Sequence, residues 1–269
     1  MSAFEYCFST LGCSEMSLHE VANLADRHDI AAVELRALSG TVDLTSALTA
    51  EFENPAGLAA FLAGRNLDIV ALNTSIKLFE SPNLSAIEPF IPWAEAVGAA
   101  HLRIFDGGKQ LATEEMKHAA DLLINWQTTR SSSGLNVDLM IETHDSLADV
   151  DQLVAFIELA PTVQILWDTH HTWARGTDLA SVWDRVARNT VHLHVKDSKV
   201  DSDGRRRYIL PGHGDFPMAD LISLLRQNER HIPISLEWER HWHPELPSLD
   251  DALTAARNWW KQGVFDVRR

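Results

Sequence analysis

Short apolar runs and longer amphipathic stretches alternate along the chain. Eight of the runs are short, and several are apolar on both faces, the pattern of strands buried on both sides in a parallel sheet. They centre on Tyr6–Phe8, Ala32–Arg36, Ile69–Leu72, His101–Phe105, Leu139–Glu142, Val163–Trp167, Val191–Val195 and Ile234–Trp238. Between them apolar residues return at helical spacing. Ser17 can cap a helix carrying Leu18, Val21, Leu24 and Ala25. Thr113-Glu114-Glu115-Met116 opens one with Met116, Ala119, Ala120 and Leu123. Thr177-Asp178 opens one with Leu179, Val182, Trp183 and Val186, and Ser248–Asp251 opens the last, with Leu253, Ala256 and Trp260. Acidic residues in these first turns suit the positive end of a helix dipole.

Successive runs lie roughly 25 to 43 residues apart, one strand-plus-helix unit each time. Eight such units in 269 residues predict the α/β class and a single (β/α)₈ TIM barrel, one domain over 1–269. The competitor is an open doubly wound sheet, which would bring a glycine-rich phosphate loop after its first strand. Leu11-Gly12-Cys13-Ser14 is not such a loop, and Ser131–Gly134 is only a polar turn. No linker or low-complexity tract divides the chain.

In a barrel of this kind reacting groups sit where strands end and βα loops begin. There the chain reads Ile141-Glu142-Thr143-His144-Asp145, Trp167-Asp168-Thr169-His170-His171, His192-Leu193-His194-Val195-Lys196-Asp197 and Leu236-Glu237-Trp238-Glu239. Glu142 to Asp168 and Asp168 to His194 are each 26 residues, equivalent positions of successive repeats. Three carboxylates and an imidazole converging on neighbouring strands would be held apart by repulsion without a cation. The expectation is one divalent metal ion held by Glu142, Asp168, His194 and Glu237. These mostly oxygen donors suit Mn²⁺ first, with Mg²⁺, Co²⁺ or Zn²⁺ as the other choices. The remaining coordination positions would take vicinal oxygens of a small sugar or keto-polyol, with the ion acting as a Lewis acid and stabilising an enediolate. Glutamates from the fifth and eighth strands would reach such a substrate from different sides, as an epimerase needs.

These residues resemble the Glu–Asp–His–Glu pattern of the xylose isomerase-like barrels, the sugar isomerases and epimerases that include ketose 3-epimerases, inosose isomerase and inosose dehydratase. The resemblance covers nearly the whole chain. It is most specific in Glu142-Thr143-His144, Asp168-Thr169-His170-His171, His194-Val195-Lys196-Asp197 and the turn Gly212-His213-Gly214. It implies that Glu142 and Glu237 also serve as acid and base on opposite faces of the substrate carbon. It further implies that His171 contacts substrate oxygens. The function expected is a metal-dependent isomerase or 3-epimerase of a small ketose, keto-inositol or related polyol. Three rivals remain. A dehydratase of the inosose or dehydroshikimate type would use the same metal and base to expel a hydroxyl. A non-catalytic sugar-binding barrel would keep the shape without turnover. An abasic-site endonuclease would need further histidine and acidic ligands, yet Asn73 and Arg103 stand where histidines would be expected.

Other residues near the strand ends carry two readings each. His144 is in step with Glu142, to touch substrate or orient a ligand, or else to cap or pack. Lys196 is expected to meet a substrate oxygen or anionic group, with a salt bridge to Glu142 or Glu237 as the alternative. Arg36 and Arg103 either bind substrate or brace carboxylates. Within Arg205-Arg206-Arg207, Arg206 is the candidate clamp for an acidic or phosphorylated substrate, against the alternative of a solvated charge run. The glycines around His213 would let the backbone bring it near the site. Trp238, with Trp242, His241, His243 and Trp173, would form an aromatic wall beside a sugar, or would simply pack.

Composition narrows the partners. With 23 basic and 38 acidic residues the formal charge is −15, which disfavours nucleic acid. Cys7 and Cys13 are too few for a disulfide framework or a zinc-finger ligand set. Met1–Glu5 has no basic or apolar leader pattern, and no apolar run reaches bilayer-spanning length. A cytoplasmic protein with a small-molecule substrate and no membrane partner is expected, and a homo-oligomer is left open.

Overall fold

Each of the eight apolar runs forms a strand in the computed structural model, which describes residues 5–227 and 232–265. The absence of a leader pattern was read partly from residues 1–4, which lie outside the described residues. The first seven strands are β1 (Tyr6–Ser9), β2 (Ala32–Leu35), β3 (Asp68–Lys77), β4 (His101–Phe105), β5 (Asp138–Glu142), β6 (Ile165–Asp168) and β7 (Thr190–Val195). An antiparallel hairpin of β8 (Ser198–Val200) and β9 (Arg206–Tyr208) follows, and β10 (Ile234–Leu236) is the last strand. β1 to β7 and β10 pair in parallel in the order β1-β10-β7-β6-β5-β4-β3-β2, and β2 returns to β1 through Phe8↔Val33. The sheet is therefore closed, and the fold is the expected (β/α)₈ TIM barrel.

The helices around it are α1 (Leu18–His28), α2 (Leu44–Phe52), α3 (Pro55–Leu62), α4 (Ile91–Val97), α5 (Thr113–Ser133), α6 (Val150–Leu159), α7 (Thr169–Ala174), α8 (Leu179–Val186), α9 (Met218–Gln227) and α10 (Leu249–Phe265). Their starts follow side-chain chemistry. Ser17 Oγ accepts the Glu20 N–H at 3.3 Å while Glu20 Oε2 accepts the Ser17 N–H at 2.8 Å, a reciprocal capping box. Asp178 accepts the Ser181 N–H at 2.9 Å to start α8. α10 buries Leu253 and Ala256 as expected, with Leu249 and Ala252, and differs at the tryptophan, where Trp259, 3% exposed, takes the inward position. Trp260 instead stacks on Tyr6, ring centroids 4.3 Å apart.

Two apolar regions result. The larger fills the space between strands and helices, where Leu24, Val33, Leu102, Ile141, Trp167, Trp183 and Leu221 are wholly or almost wholly buried. Each such side chain contributes about 1.5–3 kcal/mol by leaving water. The smaller is Ala71, Met140 and Leu166. Strand alternation puts these in step with Asn73, Glu142 and Asp168, so they plug the barrel interior below a polar layer at the carboxyl ends. No helix among the described residues is long and apolar enough to cross a membrane. Cys7 and Cys13 are buried and unbridged, and burial pushes both thiols up from their ordinary range.

The loop after β7 is gathered by one carboxylate. Asp197 accepts N–H groups from Ser198 at 2.8 Å, Gly212 at 2.9 Å, Gly214 at 2.8 Å and Phe216 at 3.1 Å. The glycines thus let the backbone approach Asp197, whereas His213 is exposed. A β-carbon at position 214 would collide with Asp197 Oδ1 and lie 2.5 Å from the Ser198 carbonyl oxygen. Gly214→Ala is expected to destabilise the fold by about 1–3 kcal/mol, read as a lower denaturant midpoint. An unchanged midpoint would show that the clasp yields without cost.

Candidate metal centre

The register of the sheet carries the site. Asp168 pairs with His194, and His194 with Ser235, one residue short of the end of β10. Along each strand, side chains two apart share a face. Glu142, Asp168, His194 and Glu237 therefore all point into the mouth, from four neighbouring strands. One ligand atom from each lies within 4.8 Å of the others. His194 Nδ1 is 3.4 Å from Glu142 Oε1 and 3.3 Å from Glu237 Oε2.

This geometry fits a hard divalent ion. All four side chains are nearly or wholly buried. Both Glu142 oxygens, Asp168 Oδ2 and His194 Nδ1 lack a well-aligned hydrogen bond and have only ion pairs. Such groups strongly disfavour burial without a counter-charge. Burial alone would raise the carboxyls, but neighbouring cations overrule it. Arg103 and His194 hold Glu142 below its usual range. His171 and Lys196 bring Asp168 to about 2. His194 and Lys196 hold Glu237 well down. All three are thus ionised at neutral pH.

Glu34 lies behind the four ligand candidates, on β2, with no exposed surface. Glu34 Oε1 is 2.8 Å from His194 Nε2, and Oε2 is 2.9 Å from His192 Nε2. The ionised carboxylate can only accept, so the Nε2 proton of His194 belongs to this contact. Nδ1 is turned toward the centre, where Glu142 and Glu237 keep the imidazole protonated without a metal ion; an ion bound there would take the place of the Nδ1 proton.

The remaining candidates are arranged unequally. Lys196 is fully buried, with Nζ 2.8 Å from Asp168 Oδ2, 2.8 Å from Glu239 Oε1 and directly against Glu237 Oε2. Its three donors thus meet three carboxylates, the salt-bridge alternative, rather than a substrate oxygen. Arg103 braces Glu142, Nε to Oε2 3.1 Å, and donates to the Thr74 carbonyl oxygen at 3.0 Å. His171 Nδ1 lies 3.2 Å from the Thr143 carbonyl oxygen and 3.4 Å from Asp168 Oδ2. Its ring meets that of His144, which is 39% exposed in its side chain, edge-on at 4.9 Å. These two line the accessible side of the centre.

Trp238 requires correction. Its ring is wholly buried and its indole N–H donates to the Pro247 carbonyl oxygen at 2.8 Å, so it offers no face to a sugar. When Glu237 points inward, the next residue points outward. Arg206 lies away from the four ligands. Its Nη1 donates to Ser198 Oγ at 3.0 Å and its guanidinium covers Trp173 at 4.4 Å. With His170, Arg207, Tyr208, His243, Glu245 and Leu246 it borders a cavity of about 430 Å³ beside the hairpin. Arg207 is tied to Asp201 and Asp203.

The family model described as "Xylose isomerase-like TIM barrel" matches residues 22–262. The chain belongs to the xylose isomerase-like TIM-barrel family. Among solved structures it is similar to the probable 3-DHS dehydratase AsbF of Bacillus anthracis, with 18% identity, 98% of this chain and 100% of that one covered, and a TM-score of 0.73. It is similar to L-ribulose 3-epimerase, with 14% identity, 98% and 95% covered, TM-score 0.74. It is also similar to D-psicose 3-epimerase of Clostridium cellulolyticum H10, with 10% identity, 97% and 98% covered, TM-score 0.71. These likenesses establish the shared barrel. No curated protein compared with the chain matches it.

Within this xylose isomerase-like barrel, Glu34, His192 and Glu239 touch the candidate site, and sequence reasoning did not single them out. A signal existed for two of them: Glu34 is the only charged residue inside an otherwise apolar strand, and His192 precedes His194 by the two residues that share a face. Glu34→Gln keeps the size but removes the charge that orients His194. It is expected to weaken Mn²⁺ binding roughly 10- to 100-fold by calorimetry, with a changed Co²⁺ absorption spectrum. Equal affinity and spectrum would leave Glu34 a packing residue.

Proposed function

We propose that this protein is a divalent-metal-dependent isomerase or epimerase of a small ketose, keto-inositol or related polyol. The observation that carries this reading is the placement of two ionised glutamates at the ends of one arc of strands. Glu142 on β5 and Glu237 beyond β10 flank His194 Nδ1 at 3.4 Å and 3.3 Å. A substrate seated over the arc meets one carboxylate from each side. A divalent ion held by Glu142, Asp168, His194 and Glu237 would supply polarisation of the substrate carbonyl, which acidifies the neighbouring C–H bond.

The chain's own groups divide the proton work. Glu142 is held by Arg103, a cation that does not release its proton, and is suited to accept the carbon-bound proton. Glu237 is fixed by Lys196, whose ammonium three carboxylates hold charged. Glu237 would return a proton to the opposite face after taking one up from a substrate hydroxyl or solvent. His171 and His144 would bind hydroxyl oxygens. The buried walls exclude bulk water, which strengthens each of these interactions.

A second reading rests on the likeness to the probable 3-DHS dehydratase: abstraction at carbon followed by loss of water would make the same site a dehydratase. The Lys196 ammonium is tied to three carboxylates, so it would bear on this reading only by fixing them. The two readings separate in one experiment. Mn²⁺-loaded protein is incubated in D₂O with a ketose and inosose panel. Deuterium incorporation without water loss supports the isomerase, and a new conjugated-enone absorbance supports the dehydratase. Glu142→Gln and Glu237→Gln are each expected to lower turnover by about 10²–10⁴-fold. Wild-type rates in either variant would remove that residue from the proton path.

A further inference from the structure

Most buried polar atoms of the mouth that lack hydrogen bonds are accounted for by ion pairs among the candidate ligands, Arg103, Lys196 and Glu34. Ser235 Oγ lies against the Cys7 thiol, which leaves two side chains. Arg36 Nη1 and both amide atoms of Asn73 are buried with no partner. Arg36 is 4% exposed and Asn73 has no exposed surface. Among the described residues no carboxylate lies within 4.0 Å of the Arg36 guanidinium. Leaving a guanidinium or an amide buried and unpaired is costly, of order 1–3 kcal/mol for the amide and more for the charge.

Both groups belong to the mouth. Leu35 pairs with Leu72, so Arg36 and Asn73 are the next positions on adjacent strands, and Asn73 itself pairs with Arg103. Arg36 is in step with inward-facing Glu34, and Asn73 with inward-facing Ala71. The Arg36 guanidinium lies 5.8 Å from the Phe105 ring, which also contacts Arg103 at 3.8 Å and His144 at 4.7 Å. Arg36 feels the repulsion of Arg103 and, after it, the attraction of Glu142 and Glu237, without touching either glutamate. A divalent ion on those glutamates would cancel their field and leave the guanidinium uncompensated.

We propose that Arg36 and Asn73 form a subsite for a carboxylate carried by the substrate. The inference rests on the reading of the barrel mouth as the substrate site, and it narrows the substrate to a polyhydroxylated keto-acid or similar monoanion. Arg36 supplies a charged N–H donor. The Asn73 amide donates to a second oxygen or accepts from an adjacent hydroxyl. One guanidinium near two glutamates suits a single negative charge better than a phosphate dianion.

The test uses two cyclic polyols of similar size, quinate with a carboxylate and myo-inositol without one, titrated by calorimetry into the protein with and without Mn²⁺. Wild type is expected to bind quinate at least about tenfold more tightly than myo-inositol, a difference of roughly 1.4 kcal/mol. Arg36→Gln should abolish that preference while leaving Mn²⁺ affinity unchanged, Arg36→Lys should restore part of it, and Asn73→Ala should weaken quinate alone. Because the guanidinium has no partner to lose, Arg36→Gln should melt no lower than wild type. The proposal is overturned by equal binding of the two polyols to wild type, by a preference that survives in Arg36→Gln, by a lower melting temperature of that variant, or by inorganic phosphate displacing quinate. Failure of Mn²⁺ to bind would instead strike the metal reading, since the quinate preference is measured without metal as well.

Discussion

Carboxylates buried together repel one another, and much of the barrel mouth answers that repulsion. Glu34, Glu142, Asp168 and Glu237 are each at most 5% exposed. Arg103, Lys196 and the imidazoles of His192 and His194 are threaded between them at ion-pair distance. Removing one partner of such a network typically costs several kcal/mol, because the other is left charged and dry. One ligand atom each from Glu142, Asp168, His194 and Glu237 lies close enough to the others for the cluster to hold a metal ion. The same low-dielectric surroundings that make the site costly to assemble make its fixed charges effective on a substrate.

The barrel divides the labour between its two surfaces. Outside, the strands meet helices through an unbroken apolar layer. Inside, among the described residues, Ala71, Met140 and Leu166 form an apolar plug with Val191 against it, and above it the inward positions turn ionic. The rigidity that positions Glu142 or His194 comes from the outer layer. The chemistry is confined to a few inward positions. This division lets members of the xylose isomerase-like family keep one scaffold at identities near 14–18%.

Much of this was legible in the sequence. Alternating apolar runs and helical stretches specify eight βα units, and the recurring 26-residue interval aligns Glu142, Asp168 and His194 on equivalent strand ends. What was not legible depended on contacts between distant segments. Glu34 is far from His192 and His194 in the chain, and only barrel closure brings them together. Lys196 was expected to face substrate because nothing local reveals that Glu239 bends back toward it. The hairpin of β8 and β9 has three-residue, polar strands and no apolar period to betray it. Trp238 was a failure of a different kind, since strand alternation already places it on the side opposite Glu237. Trp260 and Trp259 were exchanged by a single step of helical phase.

The seam of the barrel joins its first and last strands, Tyr6 opposite Ile234 and Phe8 opposite Leu236. During synthesis β1 must therefore wait until the residues of β10 have left the ribosome before it finds its second neighbour. Glu237, one residue past that seam, arrives last among the four ligand candidates. The candidate cluster is thus incomplete until ring closure, and nascent chains carry an open edge whose exposure time sets their vulnerability to self-association.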